Sequence, residues 1–196
     1  MKKIIQKIVS NKLFLITKYI DEEVEEILDI SPDIIYEFKL KKDMDITDIY
    51  NEVLFASIKQ KAFYYLYLKS RTRYELLSKL KLKYTNKEMI KEVLDYLEEN
   101  LYLNDVDYAI SYILTHKNPR IKNTMKLMQK GIKKEDIDTA YEDIPKEIEE
   151  NQLFSEVEKL IDKNIEKNKI ILKLTRKGYD YQSIKQAIKE VDKKDE

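Results

Sequence analysis

The sequence predicts a mainly α-helical protein in which three tandem repeats of three helices follow a small N-terminal β-sheet. The first observation is a period: the only two glycines, Gly131 and Gly178, lie 47 positions apart and close similar phrases. Residues 79–85 carry the same phrase without its glycine. The second observation is that 196 residues contain only two glycines and three prolines, which favours long helices. A fixed period of this length is typical of stacked repeats, so we expect an elongated, curved array.

Residues 1–55 are expected to form an N-terminal domain that opens with the sheet. Two segments rich in β-formers, 2–9 and 12–18, flank a Ser-Asn turn signal and predict a hairpin. The weaker apolar segment 27–30 adds a candidate third strand. A two-stranded hairpin is marginal alone, so this sheet must pack against the helices that follow.

Helices complete this N-terminal domain. Ser31 followed by Pro32 predicts the start of a short helix that continues to Phe38. Thr47 is predicted to cap a longer helix, or two helices in tandem, that reaches about residue 69.

The 47-residue offset then divides the rest of the chain into three repeats. Their expected bounds are 56–103, 104–150 and 151–196. Apolar residues recur at matching positions: Leu66, Ile113 and Leu160; Leu80, Leu127 and Leu174; Ile90, Ile137 and Ile184. The predicted helices are 58–70, 73–83, 87–99, 105–116, 119–130, 134–144, 151–163, 166–177 and 181–192.

Local signals agree with these helices. Asn104 can cap the first helix of the second repeat. Gly131 and Gly178 fall where a middle helix must end with positive φ, which glycine adopts without a Cβ penalty. Lys83 or Tyr84 occupies that place in the first repeat, so its turn must differ.

Basic residues keep the same register as the core. The net charge is zero, from 37 basic and 37 acidic side chains, yet three basic positions recur in all three repeats. They are Arg73, Arg120 and Lys167; Lys79, Lys126 and Lys173; Lys83, Lys130 and Lys177. Such a basic ridge can follow nucleic-acid phosphates, or match acidic surfaces that recur along a polymer. The alternative is that a lysine-rich chain simply solvates every helix face.

Nothing in the sequence indicates catalysis. There is no cysteine and no P-loop or nucleophile-elbow motif, and His116 is the only histidine and lacks a metal-binding context. We therefore expect no catalytic residues, no cofactor and no metal. No apolar run approaches the roughly 20 residues that span a bilayer, so a cytoplasmic protein without membrane contact is expected.

Several ordered phrases resemble one known family. They are Ala62, Tyr65-Leu66, Arg71-Thr72-Arg73, Glu75-Leu76 and Lys79-Leu80; Leu103-Asn104-Asp105 with Tyr108-Ala109; Lys130-Gly131-Ile132 with Ile137; and Lys177-Gly178-Tyr179 with Ile184. Together with the N-terminal strands, these resemble the RecX family of recombinase regulators over nearly the whole chain. Two departures affect turn geometry: the first repeat lacks its terminal glycine, and Asn100 stands where a glycine often precedes the joint between repeats.

The resemblance implies a non-enzymatic protein, expected to be a monomer, that binds the RecA recombinase as its nucleoprotein filament. It would restrain recombination, ATP hydrolysis and coprotease activity in DNA repair and the SOS response. The nine repeated basic residues are the candidate contacts with RecA or with DNA. Two alternatives stay open: a nucleic-acid-binding repeat protein that uses the basic ridge, and a helical-repeat scaffold for another protein partner.

Overall fold

The computed structural model describes residues 1–20, 22–116 and 118–194. Three strands come first: β1 (Lys2–Val9), β2 (Lys12–Lys18) and β3 (Glu23–Asp29). The helices that follow are α1 (Pro32–Glu37), α2 (Tyr50–Leu68), α3 (Arg73–Lys81), α4 (Lys87–Glu99), α5 (Asp105–Thr115), α6 (Arg120–Gln129), α7 (Lys134–Asp143), α8 (Lys146–Ile161), α9 (Lys167–Lys177) and α10 (Tyr181–Lys194). The predicted fold class, mainly helical with a small N-terminal sheet, is confirmed.

The sheet is an antiparallel meander in the order β1-β2-β3. Its inner face is apolar because alternate residues of β2, Leu13 and Leu15, are buried together with Leu28 of β3. The third strand begins earlier than the apolar segment 27–30 predicts, because Glu26 lies on the inner face beside Leu15. Its carboxylate accepts hydrogen bonds from the Lys3 ammonium at 3.1 Å and from the Tyr50 hydroxyl at 2.7 Å. These two donors offset the cost of placing a charge there.

The short helix α1 begins as predicted, whereas α2 does not. The Ser31 hydroxyl accepts a hydrogen bond from the Ile34 amide at 3.4 Å, with Pro32 in the first turn. Thr47 does not cap α2, which begins at Tyr50 behind Ile49. The Thr47 hydroxyl instead accepts the Lys3 backbone N–H at 2.8 Å, so it joins the loop to the edge of β1.

The chain forms two compact units, residues 1–103 and 104–196. In the first unit, the sheet and α1–α4 share a single buried cluster. Tyr84 replaces the missing glycine of the first repeat by packing inward, and its hydroxyl donates to the Ser57 carbonyl at 3.1 Å. The turn differs as expected: Leu82, the C-cap of α3, has a right-handed φ of −76°, and none of residues 82–86 has a positive φ.

The second unit contains two further buried clusters. One belongs to α5–α7 and the other to α8–α10. Both glycines adopt the predicted positive φ, 84° at Gly131 and 106° at Gly178. Helix α8 begins at Lys146, before the predicted residue 151, because Pro145 supplies its start. The finer repeat boundaries stay predictions, and residues 195–196 of the third lie outside the described residues.

The joint after α4 corrects one detail. The sequence marks Asn100 as the residue in the place of a glycine, but φ is negative there and is +59° at Leu101. Leu101 therefore carries the left-handed conformation that glycine adopts more easily. The Asn104 side chain then accepts hydrogen bonds from the amides of Val106 and Asp107, so it caps α5 as predicted.

Candidate partner-binding ridge

The predicted basic residues lie on or just after the middle helix of each repeat: α3, α6 and α9. Helix α6 (RIKNTMKLMQ) has three basic residues and no acid, and α9 (KNKIILKLTRK) has five and no acid. Helix α3 (RYELLSKLK) has three basic residues and one acid. Because the chain as a whole is neutral, these helices concentrate positive charge that is balanced elsewhere.

The first basic position pairs within its own repeat. The Arg73 guanidinium binds the Asp95 and Glu98 carboxylates of α4, each at 2.6 Å. Lys167 binds Asp192 of α10 at 2.5 Å, and this pair has the same sequence separation of 25 residues as Arg73 with Glu98. We call Arg73, Arg120 and Lys167 the clasp column, because each is paired with a carboxylate on the last helix of its own repeat.

The second repeat uses other partners for its clasp. Pro145 stands where the other two repeats have Glu98 and Asp192. The Arg120 guanidinium instead lies 3.2 Å from the Asp138 carboxylate, and its central carbon lies 4.3 Å from the centre of the Tyr141 ring. Hydrogen bonds from Lys134 and then Arg120 lower the pKa of Asp138, while burial raises the pKa of Tyr141 to about 12.

The second basic position faces solvent. Lys79, Lys126 and Lys173 are all exposed. Within the described residues no carboxylate lies at ion-pair distance from these three ammonium groups, and Lys126 makes one 3.3 Å contact with the Gln129 amide of its own helix. We call these three lysines the open column, since their charges are available to a partner.

The third basic position returns to local contacts. The Lys83 ammonium lies 3.9 Å from Asp29 of β3, and that of Lys177 lies 2.6 Å from Glu156 of α8. The Lys130 ammonium lies 5.4 Å from the centre of the Tyr108 ring. The nine predicted residues therefore do not form one uniform surface: the structure separates a clasp column, an open column and a third group held against neighbouring elements.

Sequence reasoning missed apolar side chains on the same helices. Ile121, Met125 and Leu172 are 61%, 59% and 52% exposed. The available signal is that Met125 and Leu172 occupy matching positions 47 residues apart, each directly before a lysine of the open column.

Each unit also has a cleft whose lining contains no residue of α3, α6 or α9. The larger, about 780 Å³, lies in the first unit between the hairpin tip and α2, and its lining includes Lys12, Lys61 and Tyr64. The second, about 450 Å³, lies in the second unit and is lined in part by Glu156 and Tyr179. Neither contains the nucleophile–base arrangement that an enzyme site requires.

The remaining candidate features have structural roles. The His116 ring stacks on Tyr112 at 3.9 Å, and its Nδ1 lies 3.0 Å from the Tyr112 carbonyl oxygen.

Across the described residues, no three metal-ligating side chains come together. No helix in the described part of the chain is both long and apolar enough to cross a bilayer.

These features define a class: a helical-repeat protein with an N-terminal sheet and basic middle helices. No family model matches the chain. A curated relative, "Regulatory protein RecX" of Geobacillus sp. (strain WCH70), is 29% identical over 90 residues, which are 43% of this chain. The match spans about a third of that relative's length, 33%.

Two solved structures are also similar. "Crystal structure of regulatory protein RecX" aligns with a TM-score of 0.59 over 96% of this chain and 99% of that one, at 23% identity. "Crystal structure of RecX from Lactobacillus salivarius" aligns with a TM-score of 0.64 over 70% and 96%, at 26% identity. The predicted resemblance to the RecX family is confirmed.

Proposed function

We propose that this protein is a non-enzymatic regulator that binds the RecA–DNA filament and restrains its recombinase, ATPase and coprotease activities. The RecX resemblance supports this proposal, and the open column carries it. Three exposed lysines recur once per repeat on helices that contain almost no acid. A filament presents equivalent surfaces at regular intervals, so weak contacts from successive repeats can add through effective concentration.

The first experiment measures RecA's single-strand-dependent ATPase while the protein is added at sub-stoichiometric amounts. We expect inhibition, together with co-sedimentation of the protein with preformed filaments. Unchanged hydrolysis and no association with filaments would exclude the proposal.

The second experiment tests the open column. We expect Lys126→Glu with Lys173→Glu to weaken filament binding, because reversed charges repel the acidic surface that lysines attract. The matched control reverses Lys146 and Lys189, two exposed lysines of the same unit that lie on other helices. Thermal unfolding should be unchanged in both variants. Equal filament binding by the two variants would show that the open column is only solvated.

Direct nucleic-acid binding is the second candidate function. The absence of acid from α6 and α9 favours it, since phosphates meet no like charge there. It predicts affinity for bare DNA that falls steeply with salt, because neutralised phosphates release counterions. A flat salt response would remove this candidate and leave the filament proposal intact.

A further inference from the structure

The outward face of α6 carries an apolar stripe whose side chains are each more than half exposed. Ile121, Met125 and Met128 are 61%, 59% and 52% exposed. Their spacing of four and three residues places them on one face of the helix. The core of the second repeat is instead served by the opposite face, where Leu127 is fully buried and Asn123 almost so.

Positive charge runs along one side of this stripe. Lys122 and Lys126 follow Ile121 and Met125 by one residue each, and both are exposed. Helix α6 contains no acid that could neutralise them. The surface made by these residues is therefore apolar in the middle and cationic at its edge.

A smaller version of this surface occurs on α9. Leu172 and Lys173 occupy the positions of Met125 and Lys126, and Leu172 is 52% exposed. Pro119 and Ile121 lie against the C-terminal end of α9, since a Cβ built at Gly178 would stand 3.7 Å from their Cβ atoms. The first repeat has Ser78 in the position of Met125, whereas Tyr74, in the position of Ile121, is 55% exposed.

We infer that the outer face of α6, defined by Ile121, Lys122, Met125, Lys126 and Met128, docks on a protein surface in which carboxylates border an apolar recess. The inference rests on the proposed function, in which that surface belongs to the recombinase subunits of the filament rather than to its DNA. Charge complementarity requires an acidic partner, because the face has lysines and no acid. Two partners in the filament are acidic: the DNA and the surface of a recombinase subunit. The apolar stripe favours the protein surface, because phosphates cannot bury Ile and Met side chains, whereas protein interfaces are enriched in methionine.

The test uses the full chain with RecA–single-stranded-DNA filaments as the probe. The stripe variant combines Met125→Gln with Met128→Gln, which keep side-chain length and helix propensity while they remove apolar surface. The matched control combines Tyr36→Gln with Tyr67→Gln, which remove apolar surface that is 86% and 88% exposed in the first unit. We expect the stripe variant to lose about tenfold or more in filament affinity at every salt concentration, while the control stays near the wild type.

A photo-crosslinking residue placed at Met125 identifies the occupant. The expected product joins this chain to RecA. A crosslink to DNA alone, or to a second copy of this chain, would overturn the inference, as would a stripe variant that binds filaments within twofold of the wild type. Failure of the wild type to bind filaments would overturn the proposed function and this inference together. Wild-type binding with an unaffected stripe variant would overturn only the inference.

Discussion

Removing the Arg73 side chain should lower the stability of the first repeat without lowering the affinity for the filament. Arg73 donates two charge-assisted hydrogen bonds, to Asp95 and Glu98, both at 2.6 Å. The three side chains are 27%, 44% and 40% exposed, so solvent screens each pair only in part. Pairs of this kind contribute up to about 1 kcal/mol each, so Arg73→Ala should cost the first repeat about 1–2 kcal/mol.

The same reasoning predicts a smaller loss of stability when Lys167 of the clasp column is removed. Lys167 makes one pair with Asp192, and the two side chains are 61% and 41% exposed. Its removal should cost no more than about 0.5 kcal/mol. The difference follows from geometry, because a guanidinium binds two carboxylates at once whereas an ammonium acts as a point charge.

Hydrogen exchange of the α3 and α4 amides is the appropriate assay, because two compact units need not unfold in one step. A double-mutant cycle of Arg73→Ala with Glu98→Gln isolates the pair, and 1 M salt should shrink the coupling as screening shortens to about 3 Å. Unchanged protection of α4 in Arg73→Ala, or a coupling that salt leaves intact, would refute this reasoning. Filament binding by Arg73→Ala should match the wild type.

Two further predictions concern backbone strain and pH. Leu101→Gly should stabilise the first unit by about 0.5–1 kcal/mol in urea unfolding, because relief of a left-handed φ outweighs the added freedom of the unfolded chain. The control Leu101→Ala keeps the strained φ and should give no such gain. Burial raises the pKa of Tyr141 and of Tyr179 to about 12, while unfolded tyrosines ionise near 10. Stability from both is therefore fully present below about pH 10 and is lost between about pH 10 and 12, and Tyr141→Phe should flatten that loss in alkaline unfolding curves.

The repeat architecture was predictable because its signals are periodic. Apolar residues at a fixed 47-residue offset, together with helix-ending glycines, report local structure that each repeat forms again. Where the sequence departs from the period, prediction weakened. The start of β3 is hidden by Glu26, whose inner-face carboxylate accepts hydrogen bonds from Lys3 and Tyr50 of distant segments.

The division of the basic residues into columns was not predictable. Arg73 and Lys79 look equivalent in the sequence, since both recur in every repeat. Their difference depends on whether a carboxylate from the last helix reaches them, as Glu98 reaches Arg73. Pairing across helices depends on how the helices pack, which a helical period alone does not specify. The α6 stripe was overlooked for the opposite reason, because apolar residues on a helix are first assigned to the core.

The shared core of the sheet and the first repeat restricts how this architecture can change by gene duplication. Leu54 and Ile58 of α2 belong to the same buried cluster as Leu13 and Leu15 of the sheet. A further repeat inserted between them would separate surfaces that are now complementary. The cores of α5–α7 and α8–α10 are separate clusters, so copying one of these repeats leaves each core intact and changes mainly the contacts between neighbouring repeats. Length variation is therefore expected after the first repeat rather than before it.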